Sequence, residues 1–137
     1  MEELKQCLII RKEVFVEEQG VPADIENDEF DVSSEACSHT LLLLKGVPAA
    51  TGRWRVYNEV TAKLQRLAVL KSFRGLGLGK SLILALEKQA YEAGYPFTVL
   101  DGQCHAEPFY LKLGYEIISE KPFEEAGIMH VRMRKTL

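Results

Sequence analysis

The chain has only three cysteines, at positions 7, 37 and 104, an odd number with no paired spacing. That pattern argues against a disulfide framework and points to reduced thiols in a cytoplasmic protein. No apolar run approaches the ~20 residues needed to cross a bilayer, so no membrane partner is expected. The opening Met1-Glu2-Glu3-Leu4 is acidic, unlike a secretory leader. The three histidines, His39, His105 and His130, are too far apart for a metal-ligand pattern, and no metal is expected. A concentrated basic stripe with interleaved aromatics is also missing, so nucleic acid is not an expected partner. Without repeats, low-complexity tracts or linkers, residues 1–137 are expected to form a single domain, and a homodimer of it is left open.

What is present is an ordinary globular composition, 47% hydrophobic and 27% charged, with its charge unevenly spread. Residues 13–35 carry nine acidic side chains (Glu13, Glu17, Glu18, Asp24, Glu26, Asp28, Glu29, Asp31 and Glu35) and no basic one. The rest of the chain holds 11 acids against all 17 Lys and Arg. The acidic stretch reads either as a solvated helix face and loop or as a rim that attracts a cationic small molecule. The basic remainder suits a polyanionic ligand.

Periodicity predicts an amphipathic helix over residues 2–18, with Leu4, Leu8, Arg11 and Phe15 on one face, ended by Gly20-Val21-Pro22. Asp24–Glu35 reads as a short helix or an ordered loop. Strands follow at His39–Lys45, Ala49–Tyr57 and Val60–Leu70, joined at Gly46-Val47-Pro48 and Asn58-Glu59. A helix over Gly79–Ala93 stops at Gly94, and Phe97–Leu100 is a short buried strand. Glu107–Leu113 is a short helix, and the strands Tyr115–Ser119 and Ile128–Arg134 close the chain. The fold class is α/β of the α+β kind, a mixed sheet flanked by helices.

The segment that carries chemistry is Arg74-Gly75-Leu76-Gly77-Leu78-Gly79-Lys80-Ser81. Three glycines at alternate positions leave backbone N–H groups open to an anion, and the following helix adds its positive N-terminal end. Arg74 and Lys80 can add full charges to this pyrophosphate cradle. The dinucleotide fingerprint G-x-G-x-x-G fails, because its third glycine would fall on Lys80 or Leu82. A P-loop is nearer, since Gly79-Lys80-Ser81 supplies its end, but its first glycine would fall on Arg74. That reading stays as the alternative, with Asp101 as its strand-end acid.

Arg74-x-x-Gly77-x-Gly79 also matches the Q/R-x-x-G-x-G/A signature of the GNAT superfamily of acetyltransferases. Ala106-x-x-Phe109-Tyr110-x-x-Leu113-Gly114-Tyr115 resembles that family's second block, and Leu67-Ala68-Val69 looks like its strand before the loop. Within the superfamily the chain is similar to the small ElaA-like and YjcF-like proteins. Arg11-x-x-Val14-Phe15-Val16-x-Glu18-Gln19, Gly102-Gln103-x-His105 and Gly127-Ile128-x-His130-Val131-x-Met133 carry that likeness, which runs from Leu4 onward. The resemblance implies the GNAT fold, with a mostly antiparallel mixed sheet, and an acetyl-CoA-dependent transfer to a small-molecule primary amine in a ternary complex. It assigns cofactor binding to Leu67, Ala68, Val69, the loop residues Arg74, Gly75, Leu76, Gly77, Leu78, Gly79, Lys80 and Ser81, and Gln103 and Tyr110. Tyr110 is the expected general acid toward the departing thiolate. A non-catalytic acyl-CoA-binding module is the other reading.

Two departures from the family pattern stand out. The family opens with a strand before its first helix, yet Met1 falls almost on that helix, so the strand is either lacking or precedes this numbering. Where some members carry a general-base Glu, this chain has Lys63, with Gln65 two positions on. Glu18, Asp28, Glu29 and His105 are therefore the candidate bases. Arg53 and Arg55, alternate on a strand, serve either an ion pair or an anionic group of a ligand. Cys104 and His105 are adjacent on what reads as a strand and would point to opposite faces, which argues against a nucleophile pair.

Overall fold

The structure, a computed structural model, describes residues 2–31 and 37–137. Helix α1 (Glu2–Arg11) passes into a wider, π-helical winding over Lys12–Glu18, so the single helix expected from periodicity changes pitch at Lys12. Its buried stripe is Leu4, Cys7, Ile10, Arg11 and Val14, at helical spacing. A short helix α2 (Ala23–Glu26) and a single 3₁₀ turn (Glu29–Asp31) occupy the acidic stretch, whose last residues, 32–35, lie outside the described ones. Strands β1 (Ser38–Leu44), β2 (Val47–Val56) and β3 (Thr61–Val69) form an antiparallel meander. The first turn is Lys45-Gly46, both at positive φ, one position earlier than the sequence suggests. Pro48 therefore sits inside β2, at a bulge opposite Leu43.

Helix α3 (Leu78–Glu92) crosses from β3 to β4 (Phe97–Gln103), the one parallel neighbour of β3 among the described strands. Helix α4 (Glu107–Lys112) and strands β5 (Glu116–Ile117), β6 (Phe123–Glu125) and β7 (Ile128–Thr136) complete the chain. The sheet order is β1-β2-β3-β4-β7-β5, with β6 on β7. Strand β6 escapes the sequence reading because its turn, Ala126-Gly127, has positive φ at both residues without an Asn or Asp to announce it. Leu64, Leu82, Ile83, Leu86, Leu100 and Met133 pack the α3 side of the sheet, while Ile10, Val14 and Ala68 pack the α1 side.

Candidate active site

Strands β3 and β4 pair only from Thr61↔Phe97 to Leu64↔Leu100. Beyond that point they part. A bulge helps: the β2–β3 register shifts between Thr51 and Arg53, and Arg66 takes a positive φ of 55° opposite it. The splay opens a cleft of about 810 Å³ that runs between the strands from the glycine loop to β7. Its walls bring together Leu67, Ala68, Val69, Arg74, Gly75, Gly77, Leu78, Gly79, Lys80, Gln103, His105 and Tyr110. Leu76, Ser81 and Glu29 are not among the lining residues. Leu76 stands 60% exposed at the loop, and Glu29 is exposed on its 3₁₀ turn. The lining also takes in Lys63, Gln65, Asp101, Phe109 and His130.

At the loop end, Gly77 caps α3 at φ 77° and Gly75 lies at φ 82°, conformations that L side chains resist. Space is open over both, with nothing within 4 Å of where a Cβ would stand. Arg74 donates from Nη1 and Nη2 to the Glu18 carboxylate at 2.7 and 2.8 Å, and from Nε to the Val69 carbonyl at 3.0 Å. Glu18 is thereby held below the usual carboxylate range by the Arg74 hydrogen bonds, which makes it a poor base. An incoming anion competes with this carboxylate for Arg74. Both side chains are about 40% exposed, so the pair is worth about 0–1 kcal/mol. Glu18→Gln is accordingly expected to tighten the binding of a pyrophosphate ligand by roughly two- to fivefold, measured by calorimetric titration. Weaker binding would show instead that Glu18 orients Arg74 usefully.

Tyr110 of α4 reaches the cleft across Gly102, where a Cβ would come within 2.9 Å of the tyrosine ring. Phe109 and Tyr115 hold the ring edge-on at 5.1 and 6.1 Å between centroids. Burial pushes its phenol up to about 12, so it stays a protonated donor at neutral pH. Gln103 Nε2 donates to Gln19 Oε1 at 3.0 Å, and His105 Nε2 donates to Gln103 Oε1 at 2.6 Å, so His105 carries its proton on Nε2. Cys104 and His105 lie on a 3₁₀ turn, Cys104–Ala106, and not on a strand; the ring of His105 turns to Gln103.

The acidic stretch faces inward more than its composition suggests. Buried Arg11 donates to the carboxylates of Glu26 and Asp31, and buried Arg53 to those of Asp28 and Asp31. Arg66 donates to the Glu26 carbonyl at 3.1 Å and to Asp28 at 3.5 Å. Three carboxylates are thus neutralised by three guanidiniums. Burial would raise Asp28, but the Arg53 hydrogen bonds hold it below the usual range, so it is neither a free rim charge nor a ready base. Arg53 is structural, and Arg55 packs on the Phe30 ring at 5.2 Å. A second Cys–His pair, Cys37 with His39 Nε2 at 3.3 Å, escapes the sequence reading. The same Nε2 lies 3.0 Å from the Phe30 carbonyl, which can only accept. The nitrogen therefore holds a proton and cannot take one from the thiol. Burial pushes that thiol up, away from thiolate.

Comparisons with known proteins place this cleft and its glycine loop in a family context. A model of the acetyltransferase (GNAT) domain matches residues 13–137. YjcF of Bacillus subtilis strain 168, described as an uncharacterized N-acetyltransferase, is 44% identical over 134 residues, covering 98% of this chain and 93% of the relative. An acyl-CoA N-acyltransferase from Pseudomonas aeruginosa superposes with a TM-score of 0.84 at 25% identity, covering 98% of this chain and 91% of that one. Escherichia coli ElaA does so at 0.83 and 25%, covering 98% and 90%. No helix among the described residues is long and apolar enough to cross a membrane. With residues 13–137 of the chain matched by the family's domain and the same fold in ElaA, the chain belongs to the GNAT acetyltransferases and is an N-acyltransferase similar to the small proteins YjcF and ElaA.

Proposed function

We propose that the protein transfers an acetyl group from acetyl-CoA to a small-molecule primary amine by direct attack within a ternary complex. The observation that carries this reading is the continuity of one cleft from the glycine loop to the splay of β3 and β4 beside Tyr110. Acetyl-CoA fits the residues present. The open space over Gly75 and Gly77 admits a pyrophosphate to the loop N–H groups, and Arg74, Lys80 and the start of the 15-residue α3 supply positive potential. The edge of β3 over Leu67–Val69, unpaired by β4, offers backbone groups to an extended amide-bearing arm. When bound, acetyl-CoA supplies an activated thioester. The chain polarises its carbonyl with a β3 N–H and offers the Tyr110 hydroxyl as the proton donor. Glu26, Asp28 and Asp31 spend their charge on Arg11 and Arg53 and do not attract a cation, so the acceptor is a primary amine with no cationic preference set by these three carboxylates.

Binding is tested by thermal shift. Acetyl-CoA at a hundred times its dissociation constant is expected to raise the melting temperature by roughly 8–15 °C, whereas ATP with Mg²⁺ leaves it unchanged. Gly77→Asp, which sets a like charge against the pyrophosphate in a left-handed backbone, is expected to abolish the shift. Stabilisation by ATP and not by acetyl-CoA would hand the site to the P-loop reading. Thiol release with a panel of primary amines then tests the transfer itself.

A further inference from the structure

Amine acetylation needs a group that accepts the proton of the attacking nitrogen, and the carboxylates offered by the sequence are engaged or misplaced. Glu18 is on Arg74, Asp28 on Arg53, and Glu29 is not part of the cleft lining. Asp101 does line the cleft, but it is clamped by Arg132 at 2.8 and 3.1 Å and by Lys63 at 3.2 Å. Burial would raise its carboxyl; Arg132 and Lys63 overrule that and hold it below the usual range.

We propose that His130 is the general base, taking the amine proton at Nε2; the assignment rests on the amine-acetylating reading above. His130 sits on β7 opposite Gln103 of β4, lines the cleft and is 8% exposed. Its Nδ1 lies 2.7 Å from the Ile128 carbonyl, an obligate acceptor. Nδ1 therefore carries the single proton of the neutral ring and leaves the lone pair on Nε2, which makes no hydrogen bond among the described residues. The β6–β7 hairpin fixes this orientation: Ile128 starts β7 directly after the Ala126-Gly127 turn, and Phe123 of β6 stacks on the imidazole at 6.1 Å and 22°. The other two rings present the opposite tautomer, since His39 and His105 both spend Nε2–H on oxygen acceptors. The charged and titratable groups around His130 are Asp101 on β4, His105 beyond Gln103, Lys63 on β3, Glu125 on β6 and Arg132 on β7. Asp101, Lys63 and Arg132 neutralise one another in part. In the step, the amine nitrogen bonds to the acyl carbon as the C–S bond breaks. The surplus proton on nitrogen passes to His130 Nε2, and the sulfur receives the Tyr110 proton. Imidazolium and phenolate then exchange that proton through water, so the catalyst is unchanged.

The test uses the full chain, acetyl-CoA and spermidine, glucosamine and lysine as acceptors. His130→Gln is expected to lower kcat by ~10²- to 10³-fold and to remove the acid limb of the wild-type pH profile, with the acetyl-CoA thermal shift retained. Added imidazole is expected to restore part of the activity of His130→Gly. Nitrogen-15 NMR of the wild type supplies a readout that needs neither variant: His130 should show a protonated Nδ1 and a bare Nε2. Wild-type transfer with an unaltered rate and profile in His130→Gln, or an Nε2–H tautomer by NMR, overturns the base role alone. Acetyl-CoA binding without transfer to any amine overturns the amine-acetylating reading, and the base role with it.

Discussion

Replacing Arg11 by Ala is expected to destabilise the protein by about 3–5 kcal/mol, the usual cost of stripping one partner from a buried charge pair. Arg11 is 1% exposed, and the carboxylates it holds, Glu26 and Asp31, are 3% and 5% exposed. Without the guanidinium, two carboxylates stay desolvated beside an Arg53 that already serves Asp28 and Asp31. Arg11 Nη2 also donates to the Glu26 carbonyl at 2.8 Å, so α2 loses its tie to α1 in the same step. Urea unfolding should show a lower midpoint with an unchanged slope. A loss below 1 kcal/mol would mean that water reaches the carboxylates once Arg11 is gone.

The same cluster sets an acid limit. Burial acts to raise Asp31, but hydrogen bonds from Arg11 and the Asp28 backbone hold it at about 2, below its usual 3.8. A carboxyl depressed in the folded state contributes stability in full above its unfolded value, and loses it as pH falls through the folded one. Wild-type stability should therefore drop between about pH 4 and pH 2, by about 2 kcal/mol from this group, and that limb should flatten in Arg11→Ala.

The helices, the long strands and the glycine loop are legible in the sequence because each follows from a local rule, periodicity or an alternating glycine pattern. Strand β6 and the change of pitch at Lys12 are not, since both depend on what the segment packs against. The site divides the same way. Arg74, Gly77, Tyr110 and His130 all stand in contiguous motifs, but that His130, Asp101 and Lys63 line one cleft follows only from the registers β3–β4 and β4–β7, which bring three strands side by side. Charge composition misled most. Nine acids in one stretch look solvated, but three of them answer arginines at positions 11, 53 and 66, far away in sequence and adjacent in space. The tautomer of His130, on which its proposed role depends, is set by a backbone carbonyl two residues away and has no signature in residue type at all.

Tyr110→Phe is expected to lower turnover by ~10²-fold while acetyl-CoA binding and stability stay close to wild type. The ring keeps its seat, because what holds it is the bare Gly102 beneath and the edges of Phe109 and Tyr115 beside it, none of which involves the hydroxyl. With its phenol pushed up to about 12 by burial, Tyr110 is protonated throughout neutral pH. Loss of the hydroxyl should therefore lower the rate evenly across that range and leave the shape of the pH profile intact. His130→Gln should change that shape, so the two variants separate acid from base. Gly102→Ala provides the structural contrast: its Cβ, 2.9 Å from ring carbons, must push the ring aside. Turnover and melting temperature should fall together there, whereas Tyr110→Phe lowers turnover alone. An unaltered rate in Tyr110→Phe would make Tyr110 a packing residue and assign the thiolate proton to water.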